Sequence, residues 1–416
     1  MNFLQFAVWG AYLTSMGNYL GSIGLGSDIG LFYAMQGIVS IFMPAFLGIV
    51  ADRWIQAQRL LGFSHALAAI FIFAAGYYGM TAGGNVQFPL LFTLYSMSVA
   101  FYMPTIALSN SVAYNVLVAN NYDTIKAFPP IRIFGTIGFI FAMLFVDFTG
   151  FQNNYLQFFI SAVLGIILFL YTFSLPSCLV NKSNNKRTLS DALGLKAFSL
   201  FKDRKMAIFF IFSMFLGVSL QITNGYANPF ITSFKDIPGY ATTWGANHAN
   251  ALISLSQMSE TLCILLIPFF LKKFGIKKVM LMAMFAWFLR FALFGLGNPG
   301  AGVWMFVTSM IVYGIAFDFF NVSGSLFVDK ETDKSIRSSA QGVFMMMTNG
   351  FGATIGMLAA GQIVNYFVYS KTDPVAQLEG WITSWYIFAG YALVVALLFA
   401  VIFKYKHTTE NNIRHT

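Results

Sequence analysis

The stretch NYLQFFISAVLGIILFLYTFSL (154–175) contains no charged residue and is almost wholly apolar. A helix needs roughly 20 mostly apolar residues to cross about 30 Å of hydrocarbon, because it rises 1.5 Å per residue. The whole chain resembles this stretch, since 58% of its 416 residues are hydrophobic and only 9% are charged. A soluble domain carries roughly a quarter charged residues. The sequence therefore predicts a protein whose solvent is lipid.

Similar apolar runs occur along the entire chain, in two groups of six separated by a polar interval. The runs lie near 3–22, 29–50, 60–82, 88–113, 130–149, 154–175, 206–230, 248–271, 277–297, 303–327, 339–367 and 380–404. No basic segment or cleavage site accompanies the first run, so we expect it to be retained as a span. The pattern predicts an all-α membrane protein with twelve transmembrane helices in two pseudo-symmetric six-helix halves. Its predicted regions are an N-terminal bundle (1–177), a basic linker (178–205), a C-terminal bundle (206–405) and a tail (406–416).

Basic residues are concentrated in alternate connections between these runs. They are Arg53, Arg59, Lys126, the stretch 182–205, Lys272, Lys273, Lys277, Lys278, Lys330, Lys334, Arg337, Lys404, Lys406 and Arg414, whereas the opposite connections hold only Lys235 and Lys371. Because short basic loops stay in the cytoplasm, both termini and the linker are predicted to be cytoplasmic, in a multi-pass protein of a bacterial inner membrane. We expect the positive charge to meet membrane lipids, not nucleic acid.

The linker sequence NKSNNKRTLSDALGLKAFSLFKDRK (181–205) spaces its apolar residues almost as a helix would, with lysines and arginines among them. One interpretation is a regulatory or partner-binding helix. The other, which we favour, is a basic amphipathic linker that lies on anionic lipid headgroups.

A short motif follows the second run, where residues 48–53 are GIVADR, with Gly48, Asp52 and Arg53 in the pattern G-x-x-x-D-R. Six runs later, FFLKKFGIKKVM (269–280) resembles a degenerate second copy. The motif and its position resemble the cytoplasmic gating loop of the major facilitator superfamily. A charged, glycine-containing loop of this kind is expected to hold two helix ends together in one state, and its repetition suits two pseudo-symmetric halves.

Thirteen of the fifteen acidic residues fall in loops, in turns or at helix ends, whereas Glu260 and Asp318 lie in the interior of predicted spans. A charge at mid-bilayer costs about 2.5–3.5 kcal/mol even on the lenient insertion scale, so such residues line cavities, pair with bases or carry protons. One alternative for Asp318 is a structural ion pair, with Arg290 of the next span as a candidate partner. The functional alternative is that a carboxyl group takes up and releases a proton as its access to water alternates.

Polar side chains repeat on single helical faces around these acids. The stripes are Gln221 with Asn224, Gln257 with Glu260, Arg132 with Thr136 and Phe139, and Tyr313 with Phe317 and the adjacent Asp318. Amides can pair with base edges or sugar hydroxyls, and aromatic faces can stack on a planar ring. The set suits an uncharged, partly planar, hydroxyl-rich ligand, although amides of this kind also serve as hydrogen-bonding links between helices.

Several other residues are expected to be structural. Gly352 and Gly356 present a small face for close helix packing. His65 has no second histidine near it in sequence, which favours a structural role over a proton relay. Cys178 and Cys263 indicate neither a disulfide framework nor a metal site.

The stretches FPPIRIFGTIGFI (128–140), MAIFFIFSMFLGVSLQITN (206–224), SLSQMSETLCILLIPFFL (254–271) and IVYGIAFDFFNVSGSLFV (311–328) closely resemble the bacterial nucleoside:proton symporter family. The resemblance extends over nearly the whole chain, with a short N-terminus as its one departure. It implies the major facilitator fold and a proton-driven importer of purine and pyrimidine nucleosides. The family's binding positions fall here on Arg132, Thr136, Phe139, Gln221, Asn224, Gln257, Glu260, Tyr313, Phe317 and Asp318.

We therefore expect import by alternating access, with the proton as coupling ion and no other cofactor. Asp318 is the expected proton carrier, with Glu260 next, and Phe139 or Phe317 is expected to stack on the ligand. The rival transport hypothesis is a sugar or oligosaccharide symporter. A membrane enzyme is disfavoured because the chain has no H-E-x-x-H or G-x-S-x-G motif. A solute sensor is also disfavoured, because the chain has no long signalling domain. We expect a monomer.

Overall fold

The computed structural model describes residues 1–178, 195–333 and 336–405. Its main helices are α1 (Asn2–Gly10 and Met16–Ser22), α2 (Ile29–Arg53), α3 (Ala57–Ala82), α4 (Phe88–Ala119), α5 (Thr124–Phe148), α6 (Leu156–Thr172), α7 (Arg204–Ser233), α8 and α9 (together Ala249–Leu296), α10 (Val303–Glu331), α11 (Arg337–Met345, Met346–Gly352, Ala353–Val364 and Asn365–Tyr369) and α12 (Pro374–Ile402). Within α11, Met346–Gly352 and Asn365–Tyr369 are π-helical.

The twelve predicted spans each correspond to one of these helices. In the described part of the chain, nine helical stretches are long and apolar enough to cross a membrane. One of them, Ala249–Leu296, contains two spans because Gly275 interrupts it with φ 76° and ψ 168°. The other two spans fall short of that length, since α1 is broken and α6 has 17 residues. The predicted all-helical, twelve-span architecture is confirmed.

Helices pack mainly with partners of their own group of six. In the first group, α1 lies against α5 and α6, and α3 lies against α4 and α6, while in the second α8, α9, α10 and α12 pack together. The predicted region boundaries stay predictions. Residues 179–194 of the linker and the tail 406–416 lie outside the described residues, as does Lys334.

The first helix differs from its prediction as one continuous span. Its two segments are separated by turn residues 11–15, where polar side chains find partners on two other helices. The Thr14 hydroxyl donates to Asn250 Oδ1 over 2.9 Å, and the Ser15 hydroxyl donates to Gln157 Oε1 over 3.0 Å. The backbone of this turn also has a partner, because the Tyr33 hydroxyl donates to the Leu13 carbonyl. Irregular backbone is tolerated at membrane depth only where protein or a watery cavity satisfies its polar groups.

The bundle has two ends. The termini side carries residue 1, the connection after α6 and the end of α12, and the far side carries the turns at 23–28, 83–87, 149–155, 234–248, 297–302 and 370–373. On the far side the two groups of six are in close contact. A Cβ added to Gly17 would lie 2.5 Å from the Gly225 carbonyl oxygen, and one added to Gly30 would lie 3.1 Å from Gly361 Cα. Only glycine permits these approaches between backbones.

A polar network reinforces the far-side contact. His248 Nδ1 lies 2.8 Å from Asp147 Oδ2, and the Gln152 amide donates to the Asn247 carbonyl over 2.9 Å. Asn228 donates to Gln152 over 3.2 Å and also to Asn250 over 2.7 Å. We call the Asp147–His248 pair together with Gln152 and Asn228 the far-side latch.

The termini side is open between the same two groups. Close contacts of α2 with α11 involve Gly30, Gly37 and Ile41 in the first half of α2, whereas a Cβ added to Gly48 would meet no atom of the described residues within 4 Å. The Arg132 side chain, in the span of α5, is exposed although it faces the second group of helices. The gap between the halves therefore opens toward the termini side.

Candidate functional site

The two intramembrane acids lie on the second half and face a cation of the first half. Glu260 on α8 and Asp318 on α10 interact electrostatically with each other and with Arg132 on α5. Asp318 is 5% exposed, Glu260 is partly buried and Arg132 is exposed. The arrangement brings three of the predicted site residues together across the gap between the halves.

Asp318 is not paired with Arg290. The Arg290 guanidinium donates to the Ser309 carbonyl over 2.7 Å and lies 3.4 Å from the Ser256 hydroxyl. The Asp318 Oδ2 atom is buried and has no hydrogen-bond partner in the described part of the chain. The structural ion pair with Arg290, considered as an alternative for Asp318, is therefore absent among the described residues. The Oδ2 atom of the Asp318 carboxyl group is left without a hydrogen bond to them.

The amide side chains hydrogen-bond locally. Asn224 donates to Gln221 Oε1 over 2.6 Å within α7, so this pair does not link two helices. The Gln257 side chain of α8 is partly buried. The alternative in which amides join neighbouring helices is therefore not seen for the Gln221–Asn224 pair.

Aromatic rings lie beside the acids. Tyr313 and Phe317 are nearly parallel, with an interplanar angle of 4° and ring centroids 5.7 Å apart. On the opposite half Phe139 is 6% exposed, and its ring meets Trp9 edge-on at a centroid distance of 6.2 Å. Partly buried Thr136 lies one turn before Phe139 on α5. Both halves thus supply aromatic surface.

Two residues of α1 belong to this neighbourhood although the sequence did not single them out. The Arg132 guanidinium carbon lies 4.3 Å from the centroid of the Phe6 ring, a cation–π contact. Trp9 packs on Phe139 and has a buried Nε1 that lacks a partner in the described part of the chain. An apolar first span offers no polar marker that would separate these rings from lipid-facing ones.

A family model described as "Nucleoside H+ symporter" matches residues 1–408 of the chain. The chain is 46% identical to the nucleoside permease NupG of Escherichia coli (strain K12), over 98% of this chain and 95% of that protein. It is 44% identical to the xanthosine permease of the same organism, over 100% of this chain and 97% of that protein.

The chain belongs to the nucleoside H+ symporter family.

Shape comparison agrees with this membership. A crystal structure of nucleoside transporter NupG superimposes with a TM-score of 0.88 at 45% identity, covering 97% of this chain and 98% of that chain. A crystal structure of tetrameric PepTSo2 superimposes with a TM-score of 0.66 at 12% identity, covering 97% of each chain, a likeness that concerns the fold alone. The predicted major facilitator fold and the predicted symporter family are both confirmed, and the family is one of transporters and not of enzymes.

The family's gating loop is only partly described. The α2 backbone is helical through Arg53, but the side chains of Asp52 and Arg53 lie outside the described residues. In the degenerate second copy, Gly275 has a positive φ of 76°, a backbone conformation that favours glycine. This glycine therefore makes the tight turn between α8 and α9.

Gly352, Gly356 and His65, which were expected to be structural, all make close contacts inside the bundle. A Cβ on Gly352 would lie 2.4 Å from the Met214 carbonyl oxygen, and one on Gly356 would lie 2.6 Å from Val218 Cα, so both glycines serve close α7–α11 contact. His65 is 0% exposed and its Nε2 lies 2.7 Å from Gln5 Oε1. Among the described residues, no group of three or more His, Cys, Asp or Glu side chains could hold a metal ion.

Proposed function

We propose that this protein imports nucleosides together with protons by alternating access. The observation that carries the proposal is the pair of acids, Glu260 and Asp318, that faces Arg132 across the gap between the halves. Membership of the nucleoside H+ symporter family and similarity to the nucleoside permease NupG support nucleosides as the substrate class.

Asp318 is the proposed proton carrier. Its side chain is nearly buried and lies beside a second acid, and its Oδ2 atom has no hydrogen-bond partner among the residues that the structure describes. Protonation would therefore remove an unfavourable buried charge. Arg132 belongs to the other half, and rocking of the halves would change its distance to both carboxyl groups. A change in that distance alters the cost of ionising Asp318, which links the proton to the conformational step.

The substrate is proposed to bind between the acids and the aromatic rings. Glu260 and the amides of Gln221, Asn224 and Gln257 would hold ribose hydroxyls or the base edge, while Phe139 or Phe317 would stack on the base. Thr136 and Tyr313 would complete the hydrogen-bonding surface. The parallel Tyr313–Phe317 pair favours a planar base over a simple sugar, which needs no stacking surface.

The two halves, 1–177 and 206–405, are the proposed rocking units, joined by the linker 178–205. With the termini side cytoplasmic, as the distribution of basic residues indicates, the described state has its site open to the cytoplasm and its far-side latch closed. Gly48, Asp52 and Arg53 would close the cytoplasmic side in the opposite state. We further propose a monomer in a bacterial inner membrane.

Transport by purified protein in liposomes tests this function. Labelled uridine or adenosine should accumulate when the outside is acidic, and a protonophore should abolish the accumulation. Unlabelled nucleosides should compete with the label, whereas sugars and oligosaccharides should not. Binding of nucleosides without uptake would instead favour a sensor, and competition by sugars alone would favour the rival symporter.

Analogues test the proposed hydrogen bonds. A buried site built to pair with hydroxyls rejects a ligand that lacks one, because its own polar groups are then left unpaired. Removal of one ribose hydroxyl should therefore weaken transport more than a change of base substituent does. Equal uptake of the deoxy analogue and its parent would contradict the assignment of Glu260 and the amides to the ribose.

A further inference from the structure

A cavity lies between α3 and α6 at the termini side of the first half. It encloses about 240 Å³, which is enough for several water molecules. Its wall consists of the first two turns of α3, the last turn of α6 and the residues that follow α6, among them Arg59, Phe63, Phe169, Phe173 and Ser177. None of these residues belongs to the proposed transport site, so the cavity is a separate feature of the molecule.

The cavity adjoins the lipid-facing surface of both helices. Exposed apolar residues recur at positions i, i+4 and i+7 on each helix, as Phe63, Leu67 and Ile70 along α3 and as Ile166, Leu170 and Phe173 along α6. Residues at this spacing share one helical face, and an exposed apolar face of a membrane protein meets acyl chains. Phe63 and Phe173 stand at the termini-side ends of these stripes and also line the cavity. A lipid chain on this surface therefore reaches the cavity directly.

The two sides of the cavity are joined by contacts of the chain itself. The Gln58 side-chain oxygen on α3 accepts a hydrogen bond from the Cys178 backbone N–H over 3.0 Å. The Phe169 ring packs between the rings of Phe63 and Phe173, with centroid distances of 6.2 Å and 5.1 Å. The cavity is thus largely preformed, as ligand sites usually are.

Arg59 gives the cavity a positive charge. Its side chain is exposed, and it forms no ion pair with a described carboxylate. Arg59 also lies in the first turn of α3, which begins at Ala57, and a helix N-terminus favours a nearby anion. The exposed Ser177 side chain adds a hydroxyl group that can donate a hydrogen bond. These groups suit an anion, and the planar guanidinium group matches the oxygens of a phosphate in particular.

The cavity lies at the level of the lipid headgroups. It is placed at the ends of two spans, and the nearby Trp54 is exposed, in keeping with the enrichment of tryptophan at membrane interfaces. The adjoining linker residues 179–194 contain three basic residues and one acid. A basic segment would repel Arg59 and is therefore a poor occupant of the cavity, whereas its charge attracts anionic headgroups to the same place.

We propose that the cavity binds one anionic phospholipid of the surrounding membrane. The phosphate group would contact Arg59 and Ser177, and one acyl chain would lie on the α3–α6 surface beside Phe63 and Phe173. Basic pockets between spans on the cytoplasmic side of a membrane recognise anionic headgroups, and the proposed orientation puts the cavity on that side. The lipid contacts α3, α6 and the start of the linker together, so it stabilises the end of the first half from which the linker leaves.

Native mass spectrometry of the purified full chain in detergent tests the proposal. Phosphatidylglycerol and phosphatidylcholine are titrated separately, and the apparent dissociation constant of the first bound lipid is measured. Wild-type protein should bind phosphatidylglycerol about tenfold more tightly, as expected for one charge-assisted contact, because the choline group carries a positive charge that offsets the attraction. Arg59→Gln should remove this preference.

Two further variants separate the cavity from general surface charge. Ser177→Trp fills the cavity but keeps Arg59, and it should also remove the preference for phosphatidylglycerol. Lys272→Gln is the matched control, since Lys272 is exposed at the termini side of the second half and its loss lowers the net charge equally. Lys272→Gln should keep the wild-type preference. Equal weakening by Arg59→Gln and Lys272→Gln would mean that lipids follow the overall charge, and the inference would be wrong.

The variants should fold, because all three substituted side chains are exposed. Their unfolding temperatures without added lipid should therefore match that of the wild-type protein. Added phosphatidylglycerol should raise the unfolding temperature of wild type and Lys272→Gln more than that of Arg59→Gln, since a ligand stabilises the folded state to which it binds.

Competition with glycerol 3-phosphate distinguishes a lipid from a soluble anion. A large excess should leave phosphatidylglycerol bound, because glycerol 3-phosphate has the phosphate but no acyl chain. Displacement would assign the cavity to a soluble phosphate and overturn the inference. Equal binding of both lipids by wild-type protein would also overturn it and would favour the linker as occupant. No nucleoside enters these measurements, so their outcome is independent of the proposed transport function.

Discussion

The two walls of the central gap differ in chemistry. The wall from the first half presents a cation and aromatic rings, with Arg132 lying 4.3 Å above Phe6 and with Phe139 packed on Trp9. The wall from the second half presents both acids and all of the proposed binding amides, namely Glu260, Asp318, Gln221, Asn224 and Gln257. Pseudo-symmetric helices thus carry unequal functions.

This difference suggests how one movement can serve two tasks. If the acids and amides stay together on one rigid half, the proton site and the substrate site keep their mutual geometry throughout the cycle. The other half then changes only what it brings close, which is one positive charge, an aromatic surface and the Thr136 hydroxyl. The following experiments test this division of labour.

The largest expected effect comes from removing the proposed proton carrier on the second wall. Asp318→Asn should abolish proton-driven accumulation of nucleoside, because the amide cannot bind and release a proton. A gradient of one pH unit supplies at most about tenfold accumulation per proton, and the mutant should show none of it. Exchange of labelled for unlabelled nucleoside should persist, since exchange needs no net proton movement.

Glu260→Gln is the companion variant for this test. It should weaken substrate binding and leave residual accumulation dependent on the proton gradient. If Asp318→Asn still concentrates nucleoside and Glu260→Gln does not, the proton carrier is Glu260.

Removal of the cation from the first wall should have the next largest effect. Arg132→Gln leaves the two acids facing an uncharged side chain, and it should lower uptake at a fixed substrate concentration about tenfold, as expected for loss of one charge-assisted interaction. Arg132→Lys keeps the charge but loses the planar group that stacks on Phe6, so its effect should be smaller. Equal loss in both variants would show that the shape of the arginine matters and not its charge.

A smaller effect is expected where the walls are held together on the far side. Asp147→Asn weakens the contact with His248, and the loss of about 1 kcal/mol would change the ratio of closed to open far side about fivefold. Spin labels at Asn85→Cys and Lys371→Cys, exposed residues of two far-side turns, should show a larger population of long distances. An unchanged distance distribution would mean that the glycine contacts alone keep the far side closed.

The smallest effect is expected at Gly48. A Cβ at this position meets no atom of the described residues within 4 Å, so Gly48→Ala should leave thermal stability unchanged or raise it slightly, by about 0.5–1 kcal/mol. Turnover should nevertheless slow, because the termini side must close around this residue in the opposite state. Normal turnover would remove Gly48 from the proposed gate.

The sequence predicted the helices and their class because the membrane imposes a length and a composition on every span. It also predicted which polar residues are unusual, since a charge such as Glu260 or Asp318 is rare in a span unless it has a task. These two arguments use only local composition and spacing.

Three-dimensional relations were harder to predict. Arg290 and Asp318 lie in neighbouring spans and have opposite charges, yet Arg290 faces Ser309 and the Tyr313 ring. In the sequence, Phe6 and Trp9 cannot be told apart from lipid-facing residues, because an apolar run does not indicate which of its faces meets an arginine. The break in α1 was also missed, and the partners of Thr14 and Ser15 at the break lie on helices distant in sequence.

That break in α1 places adjacent residues in the service of different halves. Ser15 is tied to Gln157 of its own half and travels with it, whereas Thr14 is tied to Asn250 of the other half. The tie between Thr14 and the other half is thus one neutral hydrogen bond, worth about 1 kcal/mol, next to the Gly17–Gly225 backbone contact. A contact this weak is easily broken and formed again, so the segment Met16–Ser22 of α1 can move in every transport cycle without unfolding.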